Sequence, residues 1–135
     1  MKTVLVLCTG NSCRSIMAEA LINHHLGTQG VRAYSSGVAP SGIVNPLAIQ
    51  ALQDAHISTD GLSSKTLDKL PIEVFDLVVT VCDHAHETCP VFGGTSQKIH
   101  CGFQDPSGGP YTGYITARDA IEATLVPLVA STLGV

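Results

Sequence analysis

Residues 4–15 read VLVLCTGNSCRS. An apolar run, Val4 to Leu7, stops at a cysteine, Cys8. Five small or polar residues follow, and then Arg14-Ser15. Beyond them Met17, Ala20, Leu21 and His24 recur at helical spacing, which predicts a helix from Arg14 to about Leu26 with those four on its inner face. The apolar run reads as a buried strand, Thr3 to Cys8. A strand, a tight polar loop and a helix open the chain, as in the first unit of an α/β fold.

The same alternation continues outward from this unit. Val31 to Ser35 is a second short strand. Asn45-Pro46 is a good helix start, with Asn as the cap and Pro in the first turn. That helix is expected to reach about His56 and to bury Ala48, Ala51, Leu52 and Ala55. Residues 76–81, DLVVTV, form a third strand covered on both faces. Lys98 to Cys101 is a fourth. A last helix is expected over 116–132 with Ile121, Leu125, Leu128 and Val129 facing inward and with a kink or fraying at Pro127. Right-handed crossovers then predict an α/β fold, a four-stranded parallel sheet of order 2-1-3-4 flanked by helices, in a single domain over 1–135.

Composition limits the function. The chain has 135 residues, of which 44% are apolar and 13% charged, and a net charge of -4. That suits a compact globular domain and lacks the basic face that nucleic-acid binding needs. No apolar stretch has the length of a membrane span, and no signal peptide is read before the first strand. A cytoplasmic monomer is the expectation. The five cysteines, Cys8, Cys13, Cys82, Cys89 and Cys101, then read as catalytic, metal-bound or buried rather than as a disulfide framework.

The loop 8–15 has the makings of an oxyanion site. Backbone N–H groups of Thr9, Gly10, Asn11, Ser12 and Cys13 can converge, the helix beginning at Arg14-Ser15 adds partial positive charge, and Gly10 and Asn11 tolerate the backbone angles of a nest. Arg14 can grip two oxygens with its planar fork. The same surroundings favour a thiolate at Cys8. A free thiol with pKa ~8.5 is about 3% ionised at pH 7, and lowering it to ~6.5 gives about 75%. The competing reading is an ordinary strand–helix turn with a buried cysteine. A dinucleotide site is disfavoured, because G-x-G-x-x-G is missing.

CTGNSCRS at 8–15 resembles the active-site loop of the low-molecular-weight tyrosine phosphatase superfamily and, more closely, that of its arsenate reductases. YSSG at 34–37, NP at 45–46, DLVVTVC at 76–82 and GFQDP at 102–106 extend the resemblance over nearly the whole chain. The resemblance implies arsenate as substrate, Cys8 as nucleophile, and Asp105 as the acid that protonates the leaving oxygen. It also implies a relay: the spacing of Cys82 and Cys89 matches that of the thioredoxin-coupled reductases, in which three cysteines act in turn and thioredoxin, rather than an organic cofactor, supplies electrons. Glutaredoxin-coupled relatives distribute their cysteines differently. Neighbouring strands lie about 4.8 Å apart, and disulfides want Cα atoms roughly 5.5–6 Å apart, so Cys82 could reach Cys8 if its loop bends inward. A helical link between Cys82 and Cys89 would separate them by about 10.5 Å, so oxidation is expected to remodel 83–95.

Some relatives hold an alkali ion beneath the loop. Asn11, Glu19 and Ser35 match three of its ligands, whereas the fourth falls at Lys65, whose ammonium is expected to fill the space and pair with Glu19 or Asn11. Cys13 and Cys101 are expected to be structural. Two other functions stay open. A phosphotyrosine phosphatase would use Cys8, Arg14 and Asp105 alone, although Ser107 stands where such enzymes usually carry a tyrosine. A zinc- or arsenite-binding protein would use Cys82, His84, His86 and Cys89.

Overall fold

The structure, a computed structural model, describes residues 1–82 and 97–135. Its elements are β1 (Lys2–Cys8), α1 (Arg14–Leu26), β2 (Val31–Gly37), α2 (Pro46–Asp54), β3 (Leu77–Thr80), β4 (Gln97–His100) and α3 (Tyr111–Leu133). The four strands are parallel and lie in the order β2-β1-β3-β4. This is the architecture expected from the alternation of elements. Cys89, His84, His86 and the 83–95 remodelling fall outside the described residues.

β1 is central, with β2 on one side and β3 on the other. Val4, Leu5, Val6 and Leu7 are therefore at most 1% exposed. Each such side chain contributes roughly 1.5–3 kcal/mol of hydrophobic stabilisation. Register fixes the far end of the strand: Leu7 pairs with Thr80, and Cys8 pairs with Gly37. The carboxyl ends of β1, β2 and β3 thus finish level, which is where open α/β sheets place their ligands.

α1 packs on β2 and α3, and α2 packs on α3. Asn45 caps α2 by accepting from the Leu47 N–H at 2.9 Å, with Pro46 in the first turn. Its Nδ2 also donates to the Tyr114 hydroxyl at 2.9 Å. The cap thereby joins two helices.

Several expectations need correction. His24 is exposed rather than turned inward, and its neighbour His25 pairs with Glu122 at 2.8 Å. α2 ends at Asp54, two residues short of His56, which has φ +60°. Ala55 is only half-buried. α3 begins at Tyr111, five residues before the expected start, because Pro110 supplies the non-helical entry and Gly113 blurs the apolar period. It runs through Pro127 to Leu133 without fraying. The buried face is Tyr114, Ala117, Ile121, Leu125, Val126 and Val129, and Leu128 is 38% exposed. Gly134, at φ +75°, then turns the chain, and the Val135 N–H closes on the Ala130 carbonyl at 2.9 Å. That left-handed closure satisfies the last carbonyls and stops the helix.

Candidate active site

The loop between β1 and α1 is held by its carbonyls. Cys8, Thr9, Gly10 and Ser12 accept from the N–H groups of Val38, Ala39, Ser41 and Asn45 at 2.9–3.2 Å. Ser64 Oγ donates to the Gly10 carbonyl as well, at 3.0 Å. Among the described residues, no backbone N–H from Thr9 to Ser15 donates to a protein acceptor. Cys13, at the N-cap of α1, makes no side-chain cap. The loop therefore spends its acceptors on the wall 38–45 and keeps its donors for an anion, with the α1 dipole behind them.

Asn11 sets this shape. It is fully buried with φ +45°, a left-handed conformation that asparagine accepts better than most residues. Its Oδ1 accepts from the Lys65 N–H at 2.9 Å, and its Nδ2 donates to Ser15 Oγ at 2.8 Å and to Ser35 Oγ at 3.0 Å. Ser15 Oγ in turn donates to Cys8 Sγ at 3.2 Å. Ser35 Oγ donates to Glu19 Oε1 at 2.5 Å. One chain of hydrogen bonds thus runs from a buried carboxyl to the candidate nucleophile. Gly37 permits the closeness of β2: a Cβ there would lie 2.8 Å from the Thr9 carbonyl oxygen and 3.0 Å from Asn11 Cβ.

Asn11, Glu19 and Ser35 do come together, as the resemblance implied, but they do not fit an alkali ion. A cation needs oxygen lone pairs. Asn11 spends its oxygen on the Lys65 N–H and turns its amide hydrogens toward Ser15 and Ser35. The expectation for Lys65 also needs correction. Its ammonium donates to the Ser63 carbonyl at 2.9 Å, and it is the backbone N–H that reaches Asn11. Burial pushes the Lys65 ammonium below its usual range against the opposing pull of Glu19. Burial likewise holds the Glu19 carboxyl above its ordinary range, with the Ser35 hydrogen bond and the charges of Lys65 and Arg32 working the other way.

Cys82 stands one residue beyond the Val81 N–H that donates to the Leu7 carbonyl at 3.0 Å. It is 4% exposed, and its Sγ lies 3.2 Å from Thr9 Oγ1. The strand order thus brings the third-strand cysteine against the residue that follows Cys8. A cavity of about 300 Å³ is lined by Arg14, Cys82, Gly102, Phe103 and Gln104.

Arg14 is 15% exposed and faces the segment after β4. Nη1 donates to the Phe103 carbonyl at 3.1 Å, and Nη2 lies 3.5 Å from Asp105 Oδ2. The Ser107 N–H donates to Asp105 Oδ1 at 3.0 Å. Burial would raise the Asp105 carboxyl, but the Ser107 N–H and hydroxyl and the Arg14 charge together hold it below the usual carboxylate range. Cys13 is buried, and burial first, then the charges of Asp105 and Cys8, push its thiol up to about 12. Cys101, one residue past β4 and half-buried, is also raised by burial.

The structure therefore assembles Cys8, the loop 9–13, Arg14, Ser15, Cys82 and Asp105 at one end of the sheet. The low molecular weight phosphotyrosine protein phosphatase family matches residues 3–133. The chain belongs to that family. Arsenate reductase 2 of Staphylococcus haemolyticus is 40% identical over 124 residues, covering 92% of this chain and 93% of the relative. The solved structure of an arsenate reductase in the phosphate binding state superposes with TM-score 0.76 at 28% identity, covering 98% of this chain and 99% of that one. The YwlE arginine phosphatase from Geobacillus stearothermophilus gives TM-score 0.77 at 29% identity, over 99% and 94%. Among the described residues, no helix is long and apolar enough to cross a membrane, and no group of three or more His, Cys, Asp or Glu side chains could hold a metal.

Sequence reasoning missed three parts of this site. The close approach of Gly37 to Thr9 depends on strand register, which the YSSG stretch does not carry by itself. Asn45 reads as a cap, yet its N–H also holds the Ser12 carbonyl at 2.9 Å. Ser64 carries no pattern, although its hydroxyl braces the loop through the Gly10 carbonyl.

Proposed function

We propose that this protein reduces arsenate to arsenite through a cysteine relay. Arsenate sits among the free N–H groups of residues 9–15, gripped by Arg14. The Cys8 thiolate attacks arsenic, an As–S bond forms, and an oxygen leaves as water with a proton from Asp105. The Cys82 thiolate then attacks Cys8 sulfur. An S–S bond forms, the As–S electron pair stays on arsenic, and As(V) leaves as As(III). Cys89 attacks Cys82, which frees Cys8 as a thiolate and leaves a Cys82–Cys89 disulfide. A dithiol reductant, thioredoxin in this reading, reduces that disulfide to two thiols by exchange and carries the disulfide away on its own cysteines.

The observation that carries the reading is the Cys82 thiol 3.2 Å from Thr9, the residue next to Cys8. Hydrolysis of a phosphate ester has no use for a second thiol there. The 40% identity to an arsenate reductase over nearly the whole chain supports the same choice. The test is arsenate-dependent NADPH oxidation with thioredoxin and thioredoxin reductase present. Turnover that needs Cys8, Cys82 and Cys89 is expected, and turnover indifferent to Cys82 would rule out the relay.

A phosphatase is the second reading, favoured by Asp105 lying beside Arg14 and by the likeness to an arginine phosphatase. The two readings share Cys8 and part at Cys82. Cys82→Ser should stop repeated arsenate reduction while sparing any hydrolysis of a small phosphate ester. A zinc-binding role through Cys82, His84, His86 and Cys89 is tested by elemental analysis of the purified protein.

A further inference from the structure

Arg14 has two calls on its guanidinium. An oxyanion seated on residues 9–15 would take two neighbouring N–H groups from its fork. The loop after β4 already takes two: the Phe103 carbonyl holds Nη1 at 3.1 Å, and Asp105 lies 3.5 Å from Nη2. Two anions then compete for one cation. Asp105 is the weaker competitor, because its side chain is 48% exposed and its contact is long for a charged hydrogen bond.

We propose that an oxyanion entering the loop draws Arg14 away from Asp105, and that the Asp105 carboxylate takes up one proton from solvent as the anion binds. The inference rests on reading residues 8–15 as an oxyanion site. The balance is simple: carboxylate plus one solvent proton gives carboxylic acid, and no other bond changes.

The surroundings of Asp105 favour this outcome. With Arg14 in place, the carboxyl is held on its charged side, with Ser107 assisting through its N–H and hydroxyl. A group so held is ionised at neutral pH and has no proton to give. The reaction nevertheless needs a proton at the departing oxygen. Removing the guanidinium and bringing a negative charge close both favour the neutral acid. The other titratable group coupled to Asp105 among the described residues is Cys13, whose thiol sits at about 12 and stays neutral throughout. Asp105 therefore becomes an acid only when there is something to protonate. Arg14 positions the proton as well as the anion.

The test follows the ¹³C signal of the Asp105 carboxyl against pH in the reduced protein, with and without saturating inorganic phosphate. Phosphate binds without being reduced, so no chemistry intrudes. The midpoint, held below 3.8 without phosphate, is expected to rise by about three pH units or more, about a thousandfold or greater gain in proton affinity. A rise too small to protonate the carboxyl near pH 7 overturns the proton uptake. By reciprocity, phosphate should bind more tightly as pH falls through that range, and Asp105→Asn should remove that part of the dependence. The Cys8→Ser variant should show the same rise, because the thiolate is not its cause. Two failures are distinguishable. If the amide signals of 9–15 move on phosphate addition while the Asp105 midpoint stays put, the coupling is wrong and the oxyanion site stands. If those amides do not move, the reading of the loop fails and the coupling falls with it.

Discussion

Two loops face each other across the site, and they are built differently. The loop after β1 has four carbonyls tied to 38–45, a fully buried Asn11 at its centre, and Gly37 pressed against Thr9. The loop after β4 is attached near its start, where the N–H groups of Cys101 and Phe103 reach the Thr80 and Val81 carbonyls at 2.9 and 3.0 Å. Beyond that, Gln104, Asp105 and residues 107–110 are exposed, and among the described residues the Arg14 guanidinium links this loop to the first. The binding half is preorganised, which suits a site that must place N–H groups on an anion without reorganising. The acid half is tied to the first loop, among the described residues, by a side chain that has another use.

The largest loss is expected at the nucleophile of the tied loop. Cys8→Ser should lower arsenate turnover by about a thousandfold or more, because serine does not ionise near neutral pH. Arg14→Lys should cost on the order of a hundredfold, because an ammonium cannot reproduce the fork. The thioredoxin-coupled assay reads both. Similar turnover in Cys8→Ser and wild type would remove the first loop from the chemistry.

A substitution in each loop then separates rigidity from attachment. Asn11→Ala strips partners from Ser15, Ser35 and the Lys65 N–H together. It should destabilise the fold by about 2–4 kcal/mol in urea unfolding and slow alkylation of Cys8 by iodoacetamide. Gly37→Ala should act in the same direction at about 1–3 kcal/mol, since its Cβ meets backbone rather than a movable side chain. Ser107→Ala in the second loop should change stability by less than about 0.5 kcal/mol. Equal losses in the two loops would mean that the second is as firmly built as the first.

The legibility of the chain in its sequence follows the same division. β1, the loop and α1 could be read because strand period, small residues and helix period change over a dozen positions. The sheet order followed from handedness rules that depend on no single side chain. What could not be read depends on three-dimensional neighbours. Lys65 contributes its backbone N–H to Asn11, and a backbone group leaves no mark on residue type. The start of α3 and its passage through Pro127 were not legible because Gly113 and Pro127 are poor helix formers that tertiary packing against α1 and α2 overrides, whereas its end lies within one residue of the expected 132. Asp105 could be named from GFQDP, but its engagement with Arg14 could not, because the two stand 91 positions apart and meet only when β1 and β4 finish at the same end of the sheet.

The smallest effect lies under the tied loop. Glu19 is 7% exposed and its carboxyl is raised by burial. The folded protein therefore binds a proton at Glu19 more tightly than the unfolded chain does. Stability rises with pH only where the unfolded state holds more protons, and here the folded state does. This contribution is thus complete below the ordinary glutamate range, near 4.5, and is lost as pH rises through the higher folded value. Glu19→Gln keeps an oxygen for the Ser35 hydroxyl and removes the titration. Melting temperatures of the two proteins should lie close together near pH 4.5, with the variant gaining relative to wild type as pH rises toward 7. Lys65 opposes the trend, because the charged carboxylate of Glu19 helps hold its partly desolvated ammonium, so a gain of a few degrees is expected rather than a large one. A variant that instead falls behind as pH rises would mean that the Glu19 carboxylate stabilises the loop by its charge, and that the chain from Glu19 through Ser35, Asn11 and Ser15 to Cys8 is an ionic support rather than a neutral one.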